Sequence, residues 1–279
     1  MRFVALTALL LLSAVSIAGD ENPFKAPQKD DYGGAMKAVA AKFKGTPGIY
    51  IHIGDSITYA NQNTAWARGG QGQTPAVQAF LKWSHNGDRN PTDGWWLASN
   101  DQPNNRSHTA ASGMRANECL AGGKGGLPSL SEIIKKFNPQ MVLYMLGTND
   151  INGGRKVGEY IADVEKAIDM LLENGTIPIL STLPPMKGKA AQVEEYCTAL
   201  RSLAAKKKIP LLDLNAEMKA RAGDQMETAF LGPDGVHLSF PNAGGPATDD
   251  NLKQSGYLLR CYMAVYKGME VKAKVIDAK

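Results

Sequence analysis

"GIYIHIGDS", residues 48–56, is the stretch that decides the fold. Its β-branched apolar run stops on Gly54 and gives way at once to Asp55 and Ser56, as a buried strand does where it leaves a sheet. Three further runs repeat the pattern: "MVLYML" (141–146), "IPILST" (177–182) and "IPLLDL" (209–214), each flanked by turn residues. Unbroken apolar runs, rather than alternating ones, are what strands covered on both faces require.

Helical patterns lie between them. In "VGEYIADVEKAIDMLLENG", Tyr160, Ile161, Val164, Ala167, Ile168, Leu171 and Leu172 form one apolar stripe, with Gly175 placed to end the helix. "AAQVEEYCTALRSLAAKKK" predicts a second helix and "DDNLKQSGYLLRCYMAVYKGM" a single final one. Strands alternating with helices predict an α/β domain with a parallel sheet between helical layers. No internal repeat and no boundary appears after residue 34, so residues 34–279 are expected to form one domain.

The first residues depart from this pattern. "MRFVALTALLLLSAVSIA" has a positive start, a short apolar run and small residues at its end, which predicts a secretory leader cleaved after about Ala18. The run falls short of the about 20 apolar residues that span a membrane. Residues 19–33 are polar and proline-containing and predict a linker or loosely packed arm. The mature protein is therefore expected outside the cytoplasm, secreted or periplasmic.

Composition excludes several functions. The net charge of +4 is modest, and the one basic run, "KKK" at 206–208, reads as a solvated helix end rather than a nucleic-acid surface. The three cysteines, Cys119, Cys197 and Cys261, are spaced too widely for a zinc site and allow either one bridge or three buried thiols. No motif calls for a metal or cofactor. "GGKGG" (122–126) lacks the ending of a phosphate loop and reads as a turn.

In parallel sheets the working site lies outside the carboxyl ends of the strands. There the sequence supplies Ser56 after the first strand and Asn149 in "GTND" after the second. Serine attacks only when a neighbouring base takes its proton. "LGPDGVHLS" (231–239) offers that base in His237, with Asp234 three residues earlier to hold the other ring nitrogen. Asn149 offers a side-chain amide, and Gly113 in "AASGM" a bare backbone N–H, for a developing oxyanion. Taken singly, each residue has a plain alternative: Ser56 and Asn149 as helix caps, Asp234-Gly235 as a turn.

Together these segments resemble the four blocks of the SGNH-hydrolase superfamily, also called GDSL esterases/lipases. The resemblance covers about residues 46–268 and implies a flavodoxin-like three-layer α/β/α sandwich with about five parallel strands. It also implies Ser56 as nucleophile and oxyanion donor, Gly113 and Asn149 as the other donors, His237 as base and Asp234 as its partner. Gly122 and Gly123 are the alternatives to Gly113. Two departures stand out: "GDSI" has isoleucine where the family name expects leucine, and the segment between Ser56 and Gly113 is long.

All four tryptophans, Trp66, Trp83, Trp95 and Trp96, fall in that long segment among glycine, asparagine and aspartate, with Tyr59 nearby. Rings in such company suit a sugar, so Asp55, Tyr59, Trp66, Trp95 and Trp96 are the expected substrate contacts; the competing reading is packing. The function expected is a cofactor-independent serine esterase acting on small O-acyl, preferably O-acetyl, groups, perhaps on carbohydrate. The rivals are a lipase, lysophospholipase or thioesterase on longer chains, and an exported carbohydrate-binding module without turnover. Oligomeric state is left open.

Overall fold

The four apolar runs all become strands. In the computed structural model, which describes residues 23–27, 31–85, 98 and 107–278, they are β1 (Tyr50–Gly54), β2 (Met141–Met145), β3 (Ile177–Ser181) and β4 (Leu211–Leu212). They pair in parallel in that spatial order, with Tyr50 opposite Met141, Met141 opposite Ile177, and Leu180 opposite Leu211. Every residue of β1, β2 and β3 is buried, as the unbroken apolar runs require. Four strands are found among the described residues, against the expected five or so. Beyond β1, parallel pairing shrinks to a single bridge, Gly54 with Ala110, because the chain turns away directly after Ala110.

The helices in chain order are α1 (Gly33–Ala40), α2 (Ser56–Tyr59), α3 (Pro75–His85), α4 (Ala116–Ala121), α5 (Leu130–Phe137), α6 (Thr148–Asn152), α7 (Val157–Glu173) and α8 (Ala190–Lys207). After β4 come α9 (Leu214–Ala222), α10 (Met226–Phe230), α11 (Asp249–Leu252) and α12 (Gly256–Val271). α7 and α8 pack on β3, and α4 and α5 pack on α7. α1 also meets β3, while α12 meets β4 and α3. The result is an α/β/α arrangement around one core.

The stripe read on α7 is real: Tyr160, Val164, Ala167, Ile168 and Leu171 are all buried, and Gly175 takes a left-handed φ of +81° just past the helix. The expected single final helix is two. Ser255 accepts from the Leu258 N–H and so starts α12 anew, three residues after α11 ends. The lysine run closes α8, where Lys206 and Lys207 pair with Glu165 and Asp169 of α7 at 2.7 and 2.6 Å. All three cysteines are free and buried.

The expected loose arm at 19–33 is docked where it is described. Phe24 and Ala26 are buried, and the N–H groups of Lys25 and Ala26 donate to the Glu217 carboxylate at 2.8–3.0 Å. Arg221 pairs with Glu217 at 2.7 Å and donates to the Pro23 carbonyl. The leader at 1–18 lies outside the described residues. Among the described residues no helix is long and apolar enough to cross a membrane.

Candidate active site

β1 ends on Gly54, and Asp55 then caps α2 by accepting from the Ile57 N–H at 3.0 Å. The cap is thus Asp55 and not Ser56, which leaves the Ser56 hydroxyl free to face the loop 231–238. His237 Nε2 lies 2.9 Å from Ser56 Oγ, and His237 Nδ1 lies 2.6 Å from Asp234 Oδ2. Three side chains from two distant segments stand in one hydrogen-bonded line.

The loop holding the imidazole is tied at several points. Leu231 and Leu238 form an antiparallel bridge, Gly232 donates to the His237 carbonyl at 2.7 Å, and Ser239 donates to Phe230. Asp234 Oδ1 accepts from the N–H groups of Val236 and His237, both at 2.9 Å. Gly235 sits at φ +71° with Lys187 packed where a side chain would go, 2.6 Å from a Cβ, and its carbonyl accepts from the Lys187 N–H. Only glycine fits this turn. Partial burial resists ionisation of Asp234, but the two N–H donors and the imidazole outweigh it and hold its carboxyl down at about 2. A charged carboxylate at hydrogen-bonding distance can fix the imidazole tautomer and stabilise its protonated form.

Asn149 enters from the other strand. At the second position of α6, directly after β2, its amide donates to Asp55 Oδ2 at 2.9 Å and makes a long contact of 3.4 Å with the Met114 carbonyl. The turn containing Gly113 is fastened to the same place, since Ala111 N–H donates to the Gly54 carbonyl at 3.2 Å. Gly113 has φ +73°, a conformation that glycine takes without strain. The alternative Gly122 closes α4, where a Cβ would lie 2.5 Å from the backbone nitrogen of Ser129.

Several expected contacts are corrected. Trp66 is buried, 1% exposed, with its indole N–H on the Gln71 carbonyl and its ring against Tyr262, so it is core and stacks on no sugar. Asp55 is fully buried and fully engaged by Ile57 and Asn149, which removes it from the substrate contacts. Tyr59 is half-buried at the end of α2. Trp95 and Trp96 lie outside the described residues.

The sequence reading missed the supporting layer. Asp150, next to Asn149, is buried and receives the Ala116 N–H at 3.2 Å and Arg155 at 2.7 Å, which joins α6 to the segment following Gly113. Burial pushes the Asp150 carboxyl up, while Arg155 and the Ala116 N–H pull it down. Burial likewise pushes the Asp55 carboxyl up to about 6, against the pull of the Ile57 N–H, Arg260 and His237. The signal available was adjacency alone, since both carboxylates flank motif residues.

A serine, an imidazole and a carboxylate in line at the carboxyl end of a parallel sheet define a three-layer α/β protein with the geometry of a serine hydrolase. A profile of the GDSL-like Lipase/Acylhydrolase family matches residues 52–240, more than half of the chain. The chain belongs to that family and is a carboxylic ester hydrolase. Solved structures agree on the fold. An acetyl esterase mutant with an acetate ion aligns with a TM-score of 0.50 at 20% identity, over 77% of this chain and 97% of its own. A carbohydrate esterase family 3 protein from Talaromyces cellulolyticus gives 0.54 at 19% identity, over 82% and 99%. A GDSL-like lipase from Bacteroides thetaiotaomicron gives 0.50 at 15% identity, over 88% and 98%. No curated protein sequence matches the chain significantly.

Proposed function

We propose that the protein is an exported esterase that removes small acyl groups, acetyl above all, from carbohydrate, through an acyl-enzyme on Ser56. The observation that carries the reading is the unbroken line from Ser56 Oγ to His237 Nε2 at 2.9 Å and from His237 Nδ1 to Asp234 Oδ2 at 2.6 Å. As Ser56 Oγ bonds to the ester carbonyl carbon, His237 Nε2 takes its proton and the carbonyl electrons move onto the oxygen. Donors for that oxyanion are the Ser56 and Gly113 N–H groups and the Asn149 N–H now held only by the long contact to Met114. His237 then gives its proton to the departing alcohol, and water repeats the sequence to free the acid.

A short acyl group is favoured because Phe240, 56% exposed, is the one exposed large hydrophobic side chain among the described residues. A long chain needs a continuous apolar surface. The acetyl esterase and the carbohydrate esterase among the structural relatives are in keeping with this substrate class. Export rests on the leader-like residues 1–18 alone. The test is a chain-length series of nitrophenyl esters and a panel of acetylated glycans, with Ser56→Ala beside the wild type. Acetate preference and loss of about 10⁶-fold in kcat are expected for a residue of this kind. A peak at eight or more carbons would move the assignment to lipids, and retained turnover in Ser56→Ala would remove the nucleophile.

A further inference from the structure

Beneath the turn that carries Ser56 lies a buried guanidinium to which the acyl-transfer steps give no part. Arg260, on α12, is 1% exposed. Its Nη2 donates to Thr58 Oγ1 at 2.9 Å, its Nη1 donates to Asn63 Oδ1, and its Nε has no partner. Asn63 Nδ2 donates in turn to the Thr58 carbonyl at 3.1 Å, so guanidinium, Thr58 and Asn63 close a ring at the end of α2. Gly54 leaves the room this needs, since a Cβ there would lie 2.0 Å from Thr58 Oγ1. Asp55, at the head of the same helix, is fully buried and within the field of Arg260.

Stability does not explain such a charge. Taking a guanidinium out of water is costly, and a whole buried polar cluster replaced by apolar side chains is often as stable or more so. An unmade N–H adds to the penalty. What arginine supplies and methionine lacks is a rigid fork of donors and a fixed positive charge. Besides Asp55, the titratable groups facing Arg260 are Tyr50, Tyr257 and Cys261, and burial pushes all three up so that they stay neutral. Those facing Asp55 are Arg260, His237, Tyr160 and Tyr257. Among these groups Arg260 is the permanent cation, and its field favours the ionised Asp55.

We propose that Arg260 is a positioning residue for acyl transfer: through Thr58 and Asn63 it holds the one-turn helix led by Ser56. The proposal rests on the reading of Ser56 as nucleophile. The experiment compares Arg260→Met, Arg260→Lys and Ser56→Ala with the wild type by steady-state kinetics on an acetyl ester, thermal unfolding, and the rate at which a fluorophosphonate labels Ser56. Arg260→Met is expected to lower Tm modestly, because Thr58 and Asn63 lose their donor, while kcat falls by about 10- to 100-fold with KM little changed, and labelling slows in step. Arg260→Lys restores part of kcat, because its ammonium can donate to Thr58 or Asn63 but lacks the fork that serves both. Wild-type kcat in Arg260→Met, with turnover lost in Ser56→Ala, overturns this proposal alone. Turnover retained in Ser56→Ala brings down the nucleophile and this proposal together. Should Arg260→Met fail to fold, Thr58→Val removes one of the two acceptors, and wild-type kcat there is equally fatal.

Discussion

Asp55 and Asp234 each turn one oxygen to the backbone and the other to a functional side chain. Asp55 takes the Ile57 N–H and the Asn149 amide; Asp234 takes the Val236 and His237 N–H groups and the His237 ring. The local device is the same, an aspartate accepting from the N–H two residues on. The surroundings are opposite. Asp234 has a side chain 54% exposed and a carboxyl held at about 2, whereas Asp55 is fully buried with a carboxyl pushed up to about 6. Burial wins at Asp55, whereas at Asp234 the hydrogen bonds outweigh it. One aspartate is held anionic by the donors of its own loop; the other is pushed up by burial against the pull of the Ile57 N–H and Arg260.

The strongest way to break this comparison is Asp234→Asn. The amide can still cap the turn through its oxygen, but it presents N–H to the ring nitrogen and favours the wrong tautomer. We expect kcat to fall by about 10⁴-fold with the fold intact, measured by acetyl ester turnover and circular dichroism. A loss below tenfold would show that the carboxylate is ornamental. Asp55→Asn comes next: its oxygen can serve Ile57, but its NH₂ then faces the Asn149 amide, donor against donor. An oxyanion donor is worth about 10²–10³-fold, so a misaimed one is expected to lower kcat by about 10²-fold.

The smallest effect is on stability. Because the folded carboxyl of Asp55 lies above its unfolded value, the folded state binds that proton more tightly. Its contribution is fully present below about pH 4, is lost as pH rises toward 6, and is constant above. Asp234, depressed to about 2, contributes above its ordinary value and loses that contribution as pH falls toward 2. Across pH 4 to 6, wild-type Tm should therefore decline relative to Asp55→Asn, while Asp234→Asn should track the wild type. Parallel curves for all three would contradict the assigned solvation.

Much of this site was legible in the sequence. Four apolar runs ending in turn residues located the strands, and strand ends located Ser56 and Asn149. The loop "DGVH" could be read because base and partner lie three residues apart. Arg260 could not be read: it sits within an apolar helical stripe, and its partners Asn63 and Thr58 are 197 and 202 positions away. Trp66 misled because glycine and polar neighbours imply exposure, whereas the chain folds it against Tyr262. Asp55 misled in the opposite direction, since its place within a motif implies contact with substrate while its hydrogen bonds face inward. The break between α11 and α12 was hidden because Ser255 reads as an ordinary helical residue until its hydroxyl is seen on the Leu258 N–H.

Glu217 and Arg221 give the strip at residues 23–26 a significance beyond packing. Both side chains are 1% exposed or less, and the carboxylate draws three of its hydrogen bonds from that strip's amides. Trimming the chain past Ala26 would strand a negative group inside protein with a single neighbour left to answer it. An investigator choosing where to place an affinity tag or begin a shortened form should therefore keep everything from Pro23 onward.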